Sequence, residues 1–598
     1  MAKTAPVRQK RITIDRFLGV DFANAETEVD TRRSPWAPNM VADKAGYPEK
    51  RPGYTCLQSY PGPVHGMGFF QGNMLVHAGT KLYGPEKTIL YSDMAERRSA
   101  FFHWEDKLYI LDGSHYLVYD GVQAKEVDGF IPTTVIGREP SGGGTLFEAV
   151  NLLQPKRINS FVSDGTATEF LLDSMGIDTA EVTVWVDGEE KSEGEDYTVD
   201  REAGKVIFTQ APADSEGLDS VTIRFSKTVT GYRERICKCT IAGSFGLGSD
   251  SRVFLTGNPE YPNTDWQSGL YDPTYFPDTG YTRLGSENTA IMGYLKQYDS
   301  MIVVKEQADD ETGLFIRNAE LTENSEAIFP VKEGIAGMGA VSPYAFGTLA
   351  GDPVFLSPGG VYGLDTNAVT QQRSVQLRSF FINPRLTRES SLGEAVGAVW
   401  GQFYVACVNG HAYVANGSQT NENPMGGRGY EWYYWTDIPA RVLREHDGKL
   451  YFGTDDGKVM VFSGEYADDG RAIDAIWTTP LLDGGNFMQE KNISRRGTGI
   501  LTKPYARSSG EIFFSTEKSL MQVTRKYTMD LMDFDDVDFN RFSFTMQDNP
   551  RVQISPKKFR KVLQFQMGVR NCVAGEGFGV LAMMVTFSMG NMTRRKDG

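Results

Sequence analysis

The feature that most constrains this 598-residue chain is a run of short segments in which apolar residues alternate and then stop at a glycine-containing pair. GNMLVHAGTKLYG (72–84), DKLYILDGSHYLVYDG (106–121), DPVFLSPGGVYGLD (352–365), GQFYVACVNGHAYVANG (401–417) and DGKLYFGTDDGKVMVFSG (447–464) all read apolar, turn, apolar. Alternation with period two puts every second side chain on one face of a strand. An Asn-Gly or Asp-Gly pair supplies the positive φ that a two-residue hairpin turn demands. In the second segment Leu108 and Ile110 precede Asp112-Gly113, and Leu117 and Tyr119 follow it. The 64 Gly, 27 Tyr and 35 Phe suit many short strands. Helix candidates are confined to 378–388, which Pro384 interrupts, and 524–531. The expectation is an all-β chain whose hairpins stack as blades of a β-propeller-like core. No strict motif repeats, so a series of β-sandwiches is the alternative.

A chain this long exceeds what one ordinary hydrophobic core supports, so several units are expected. Residues 1–60, with RSPWAPNM (33–40) and EKRPGY (49–54), break every period; each X-Pro step favours extended backbone, and the segment reads as an extended N-terminal arm. Its cations Arg32, Arg33, Lys50 and Arg51 suit a clamp on the chain's own propeller or on a neighbour, and a simple surface arm is the plainer reading. The first part of the propeller is expected over 61–158. An acidic β-sandwich insert is expected over 159–228, where Asp187-Gly188 and Ala203-Gly204 mark turns. The rest of the propeller is expected over 229–466 and a C-terminal β-rich unit over 467–598. In that last unit Val580, Leu581, Met583, Met584 and Val585 read as a buried closing strand, followed by a basic tail at 594–596. No stretch is apolar for long enough to make a membrane helix, and the basic start MAKTAPVRQKRITIDRF has no apolar run behind it.

Few residues carry recognisable chemistry. The net charge of −16 argues against a sequence-reading nucleic-acid binder, which would concentrate Lys and Arg against phosphate. Five scattered cysteines (Cys56, Cys237, Cys239, Cys407, Cys572) point to a reduced origin, and Cys237 and Cys239 read as two packed cysteines on one face of a strand. The six histidines, His65, His77, His103, His115, His411 and His446, show no metal-ligand spacing. GSFGLGSD (243–250) and GEGFGV (575–580) lack both the Lys-Ser/Thr ending and the following helix of a phosphate loop. The acidic run DFDDVDF (533–539) lacks the glycine and closing Glu of a calcium loop and reads as a charged strand edge. Ser163-Asp164-Gly165 is only a fragment of a sialidase box. The chain is therefore read as a non-enzyme, with no catalytic, cofactor-binding or metal residues and no cofactor.

GVDFANAETEVDTRRSPWAPNM followed by YPEKRPGY (19–54) resembles the opening of tail-nozzle and tail-hub proteins of short-tailed bacteriophages, including the stabilization proteins of gut phages. DSRVFLTGNPEYPNTDWQSGLYDPTYFPDTGY (250–281) resembles the same group, as does the pairing of FLSPGGVY (355–362) with YFGTDDGKV (451–459). The resemblance implies a structural virion protein made in the host cytoplasm, a homo-oligomeric ring, six-fold by preference, below portal and adaptor. Its partners would be the portal, the adaptor and the tail fibres, and its channel would pass DNA without specific binding. An acidic wall agrees, because every Lys–phosphate contact would slow passage. The alternative is a receptor-binding or carbohydrate-recognising tail protein whose aromatic run Tyr430, Trp432, Tyr433, Tyr434 and Trp435 stacks on sugars; a tail glycosidase is the third reading.

Overall fold

The computed structural model describes residues 8–323, 326–366, 373–530 and 550–592. The chain divides into two compact units, one made of Met1–Val64 with Ala340–Gly598 and the other of His65–Gly339. The fold is all-β, with a β-propeller-like core built from four-stranded antiparallel sheets in which most strands pair with the next in the chain. Four such sheets follow one another through the second unit. They begin at the strands Val64–Phe70, Ala100–Trp104, Ile241–Phe245 and Ile291–Gln297. Three belong to the first unit and begin at Phe346–Leu349, Val396–Trp400 and Val442–His446.

The first two strands of six of these seven sheets are joined by a two-residue turn that starts at positive φ. The pairs are Gln71-Gly72, Glu105-Asp106, Tyr298-Asp299, Ala350-Gly351, Gly401-Gln402 and Asp447-Gly448. Such a turn matches the right-handed twist of its flanking strands, so a common geometry recurs without a common motif. Asn409-Gly410 and Asp187-Gly188 form two-residue turns of the same kind elsewhere. Asp112-Gly113 does not. Leu111 pairs with Tyr116, which leaves a four-residue loop whose backbone Asp112 caps through Ser114 and His115.

The inner strands of these sheets are buried on both faces, and several outer strands are exposed. Leu108, Ile110 and Leu117 pack with Phe70, Leu75 and Leu82, whereas Tyr109, Leu111 and Tyr116 pack on the other side with Val253, Leu255 and Trp266. The next interface joins Phe245 and Phe254 to Met301, Val303 and Phe315. It also buries the Arg317 guanidinium against both oxygens of Asp265, at 2.6 and 2.9 Å, with the Phe254 ring 4.5 Å away.

The acidic insert is a two-sheet sandwich. One sheet takes the order Thr145–Leu146, Thr133–Arg138, Lys156–Val162, Asp219–Ser226, Thr183–Val186, Glu189–Lys191, and the other is Glu169–Leu171, Lys205–Phe208, Tyr197–Asp200. Phe161, Phe170, Val184, Val206, Val221 and Ile223 fill the space between them. Thr133–Arg138 lies parallel to Lys156–Val162, so the sheet reaches upstream of residue 159.

In the first unit the strand Tyr54–Ser59 forms the edge of the sheet of Val442–His446, Lys449–Gly453 and Lys458–Phe462, joining the start of the chain to its third blade. Beyond it the C-terminal strands form two more sheets. Val580–Met592 is the long central strand of one, with Gln9–Ile14 along one edge and Gln489–Ile493 and Gly499–Thr502 along the other. The second is Ala475–Thr478, Phe565–Asn571, Arg507–Thr516 and Ser519–Asp530. The helix expected over 524–531 is thus a strand as far as Asp530, paired along Arg507–Thr516; a period-3.6 spacing cannot be told from an edge strand over so short a piece. The piece at 378–388 holds a 3-10 turn, Phe380–Ile382, and a single helical turn, Asn383–Leu386. The acidic run at 533–539 and the basic tail at 594–596 lie outside the described residues. Among the described residues no helix is long and apolar enough to cross a membrane.

Candidate functional site

The residues that the arm brings into the first unit form a seam of buried charge. Arg51 is fully buried and meets Asp468 with two bonds, Nη1 to Oδ1 at 2.8 Å and Nη2 to Oδ2 at 2.6 Å. Its Nε donates to Asn39 Oδ1 at 2.9 Å and its Nη2 to the Thr436 carbonyl at 3.0 Å. This arrangement repays the desolvation of a buried ion pair, because most of the guanidinium donors are used. Arg33 forks onto Glu431 at 3.1 and 2.5 Å and lies 3.8 Å above the Phe381 ring, while Glu431 also accepts from the Gly19 amide. Lys50, also buried, donates to Asn571 Oδ1 at 2.9 Å and to the carbonyls of Val573 and Glu576 at 2.8 and 3.3 Å. Burial pushes its pKa down to about 8, against the opposing charge of Glu576. Arg32 differs: it bonds Asp30 locally and stays exposed.

Two glycines make the seam possible. A Cβ on Gly19 would stand 2.2 Å from the Trp432 carbonyl oxygen, and one on Gly53 2.0 Å from that of Ala467, so only glycine lets the arm approach these strands. Asn39 sits at φ 58 and turns its side chain to Thr436, Asp474 and Arg51. Tyr54 is fully buried with its hydroxyl on the Asp437 carbonyl. The positions that carry the sequence resemblance, Gly19, Asn39, Lys50, Arg51, Gly53 and Tyr54, are therefore the ones that fasten the arm. Of the two readings of the arm, the clamp on the chain's own strands is the one the contacts display.

The aromatic run is not a sugar platform. Tyr430, Trp432, Tyr433, Tyr434 and Trp435 are each at most 1% exposed. Their polar atoms are used internally: Tyr430 on Asp352, Trp432 on the Arg378 carbonyl, Tyr433 on Gln419 and Trp435 on the Met40 carbonyl. Cys237 ends a six-residue helix, Tyr232–Cys237, so the paired cysteines do not share a strand. Both thiols are buried, and burial raises the Cys237 pKa to about 11.

His65 and His77, twelve residues apart, lie with ring centroids 4.9 Å apart, because the Gln71-Gly72 turn folds one strand onto the next. His77 Nε2 donates to the Gly79 carbonyl and its Nδ1 faces Ser99 Oγ, each at 3.0 Å. Burial, then the neighbouring His65, lowers its pKa to about 4. The remaining histidines are dispersed: His103 on Phe70, His115 on Asp112, His411 on Glu389 and His446 near Asp447. Among the described residues no three His, Cys, Asp or Glu side chains come together as a metal site would require.

Ser163-Asp164-Gly165 is a turn: Asp164 accepts from the amides of Thr166 and Ala167, and Ser163 donates to the Pro212 carbonyl. In GSFGLGSD the acid Asp250 is bound by Ser244 and Lys296, and the next element is the strand Arg252–Thr256. In GEGFGV the buried Glu576 holds Ser509 through both its amide and its hydroxyl.

No known family and no curated protein sequence matches the chain. Among solved structures it is similar to BamB from Moraxella catarrhalis, with 13% identity over 68% of this chain and 97% of that one at a TM-score of 0.30. It is also similar to the computationally designed Ika8 protein, with 12% identity over 69% and 99% at 0.26. An exo-beta-1,3-galactanase from Phanerochaete chrysosporium is matched with 9% identity over 83% and 98% at 0.22. At such scores the fold assignment rests on the strand order of the chain itself.

Proposed function

We propose that the chain is a structural subunit of a short-tailed bacteriophage tail, a nozzle or hub protein that assembles as a ring, six-fold by preference, around the path of the genome. The observation that carries this reading is the arm seam: the residues through which the sequence resembles that group are spent on fastening the chain to itself and not on chemistry. Two ion pairs and an ammonium, all drawn from the first 51 residues, lie buried against residues about 400 positions or more away. A conduit wall has to hold its shape under load, and long-range buried polar contacts give one rigid arrangement in place of several. The net charge of −16 is compatible with DNA sliding past without capture.

Native mass spectrometry and electron microscopy of the purified protein, alone and with its cognate portal and adaptor, test the reading. Closed rings in either condition are expected. A protein that stays monomeric in both, or antibodies against the chain that fail to decorate virion tails, would overturn it.

A further inference from the structure

Where the arm crosses the second blade of the first unit, it leaves a cleft of about 470 Å³ lined by Trp400, Phe403, Trp435, Tyr466, Gln402 and the arm residues around Asp43 and Glu49. The volume lies within the roughly 300–1,000 Å³ typical of small-molecule sites. Trp400 and Phe403 flank the Gly401-Gln402 turn as partners across the hairpin, so that two large rings project side by side. Trp400 is braced from behind, its indole N–H on the Gly448 carbonyl at 2.8 Å and its ring 5.4 Å from that of Phe462. Trp435, fully buried and bonded to the Met40 carbonyl, supports the cleft without offering a face to it, so the accessible rings are Trp400 and Phe403. Behind the lining, Lys503 spans the two carboxylates, 2.5 Å from Asp43 Oδ2 and 2.8 Å from Glu49 Oε2, and Tyr505 donates to Glu49 at 3.2 Å. Burial works against the Lys503 charge, but the bonds and charges of Asp43 and Glu49 outweigh it and raise its pKa. A braced indole and two carboxylates held in place by Lys503 set the walls of the cleft before any ligand enters.

We infer that this cleft is a saccharide-binding site that takes one or two pyranose rings, their C–H faces against Trp400 and Phe403 and their hydroxyls towards Asp43, Glu49 and Gln402. The charge balance chooses this ligand over the other that aromatic walls suit, a quaternary ammonium. The two acids are already bridged by Lys503, and Lys44 also lines the cleft, so two lysines offset two carboxylates and a further cation gains little. A neutral or acidic sugar meets no such penalty. Stacking uses the apolar face of the ring while each hydroxyl keeps a polar partner, which is what lets a polar ligand enter an aromatic site. The inference is independent of ring assembly, since every residue named lies in one unit of a single chain.

The test is titration of the full chain with glucose, galactose, N-acetylglucosamine and N-acetylneuraminic acid, followed by tryptophan emission and saturation-transfer NMR. Saturable binding of at least one sugar is expected, weakened about tenfold or more in Trp400→Ala. Gln402→Ala, a rim change that leaves the hairpin backbone intact, is expected to weaken it several-fold with an unchanged melting midpoint; this variant decides the matter if Trp400→Ala fails to fold. Absence of saturable binding by all four sugars up to about 100 mM would overturn the assignment. Undiminished binding by folded variants, or binding of tetramethylammonium in place of any sugar, would do the same.

Discussion

The two units use the same blade but close it by different means. Between His65 and Gly339 each four-stranded sheet comes from one continuous stretch, and the buried ion pair Arg317–Asp265 joins positions 52 apart. In the other unit one blade takes its outer strand from residues 54–59, and the ion pair Arg51–Asp468 joins positions 417 apart. That unit has a local pair of this kind too, Arg378–Asp352, 26 positions apart, and adds the long-range one, which the unit of His65–Gly339 does not show among the described residues. Local closure lets a unit form from its own stretch of chain, whereas long-range closure makes the unit depend on its first sixty residues. Removing residues 1–60 is the hardest test of this contrast. The loss should exceed about 5 kcal/mol, comparable with the whole stability of a domain. Limited proteolysis with mass spectrometry should then find 340–598 degraded and a resistant core within 65–339; equal degradation of both would break the distinction.

A gentler form compares the two arginines. Arg51→Met and Arg317→Met each strand a buried carboxylate and should each cost about 3–5 kcal/mol. Hydrogen exchange should localise the damage to the unit that carries the change. Adding Asp468→Leu to Arg51→Met should recover much of the loss, because the cost comes from the charge left behind and not from the missing attraction. Failure of that rescue would mean that Arg51 acts chiefly through Asn39 and the Thr436 carbonyl.

The units should also part company in pH. The folded pKa of His77 is about 4 against the ordinary 6.5, so the unfolded chain binds the proton more readily. The stability that neutral His77 provides is complete above pH 6.5 and falls as the pH drops towards 4, by at most about 3 kcal/mol. Lys50 acts with the same sign in a higher window: its folded pKa of about 8 lies below the ordinary 10.5, so the unit holding the arm should gain stability as the pH rises from 8 to 10.5. Denaturant melts across pH, read by exchange in each unit, check both. His77→Gln should flatten the acid limb, and Lys50→Met the alkaline one.

What was legible in the sequence follows from the range of each interaction. Asn409-Gly410 and Asp187-Gly188 form the turns they spell, because turn chemistry is decided within four residues. Glu105-Asp106 and Tyr298-Asp299 adopt the same geometry with residues that do not advertise it; there the flanking strands impose the positive φ. The six-residue helix ending at Cys237 is too short for a period to show. The parallel pairing that carries the insert back to Thr133 leaves no local trace. The arm could be read as extended from its prolines, but which of its four cations would be buried could not, since Arg32 and Arg33 are neighbours and only Arg33 finds Glu431. The cleft stayed hidden for the same reason: Trp400, Glu49 and Lys503 are far apart in the chain, and within an aromatic-rich sequence none of them stands out.

The smallest predicted effect is the one in which the two units should not differ. Gly410 has φ 77 and Gly188 φ 83, and a Cβ at either would meet nothing within 4 Å. Replacing each by alanine therefore costs only the left-handed backbone conformation, about 1 kcal/mol, with no clash added. Gly204 is the control: its φ is 64, but a Cβ there would stand 2.1 Å from the Ser174 carbonyl, so Gly204→Ala must cost clearly more than Gly188→Ala within the same sandwich. Chemical denaturation of the three variants measures this. Equal losses at Gly410 and Gly188 would show that the turn belongs to the hairpin alone. A larger loss at Gly410 would mean that the dependence of its unit on the arm reaches even a turn that touches nothing.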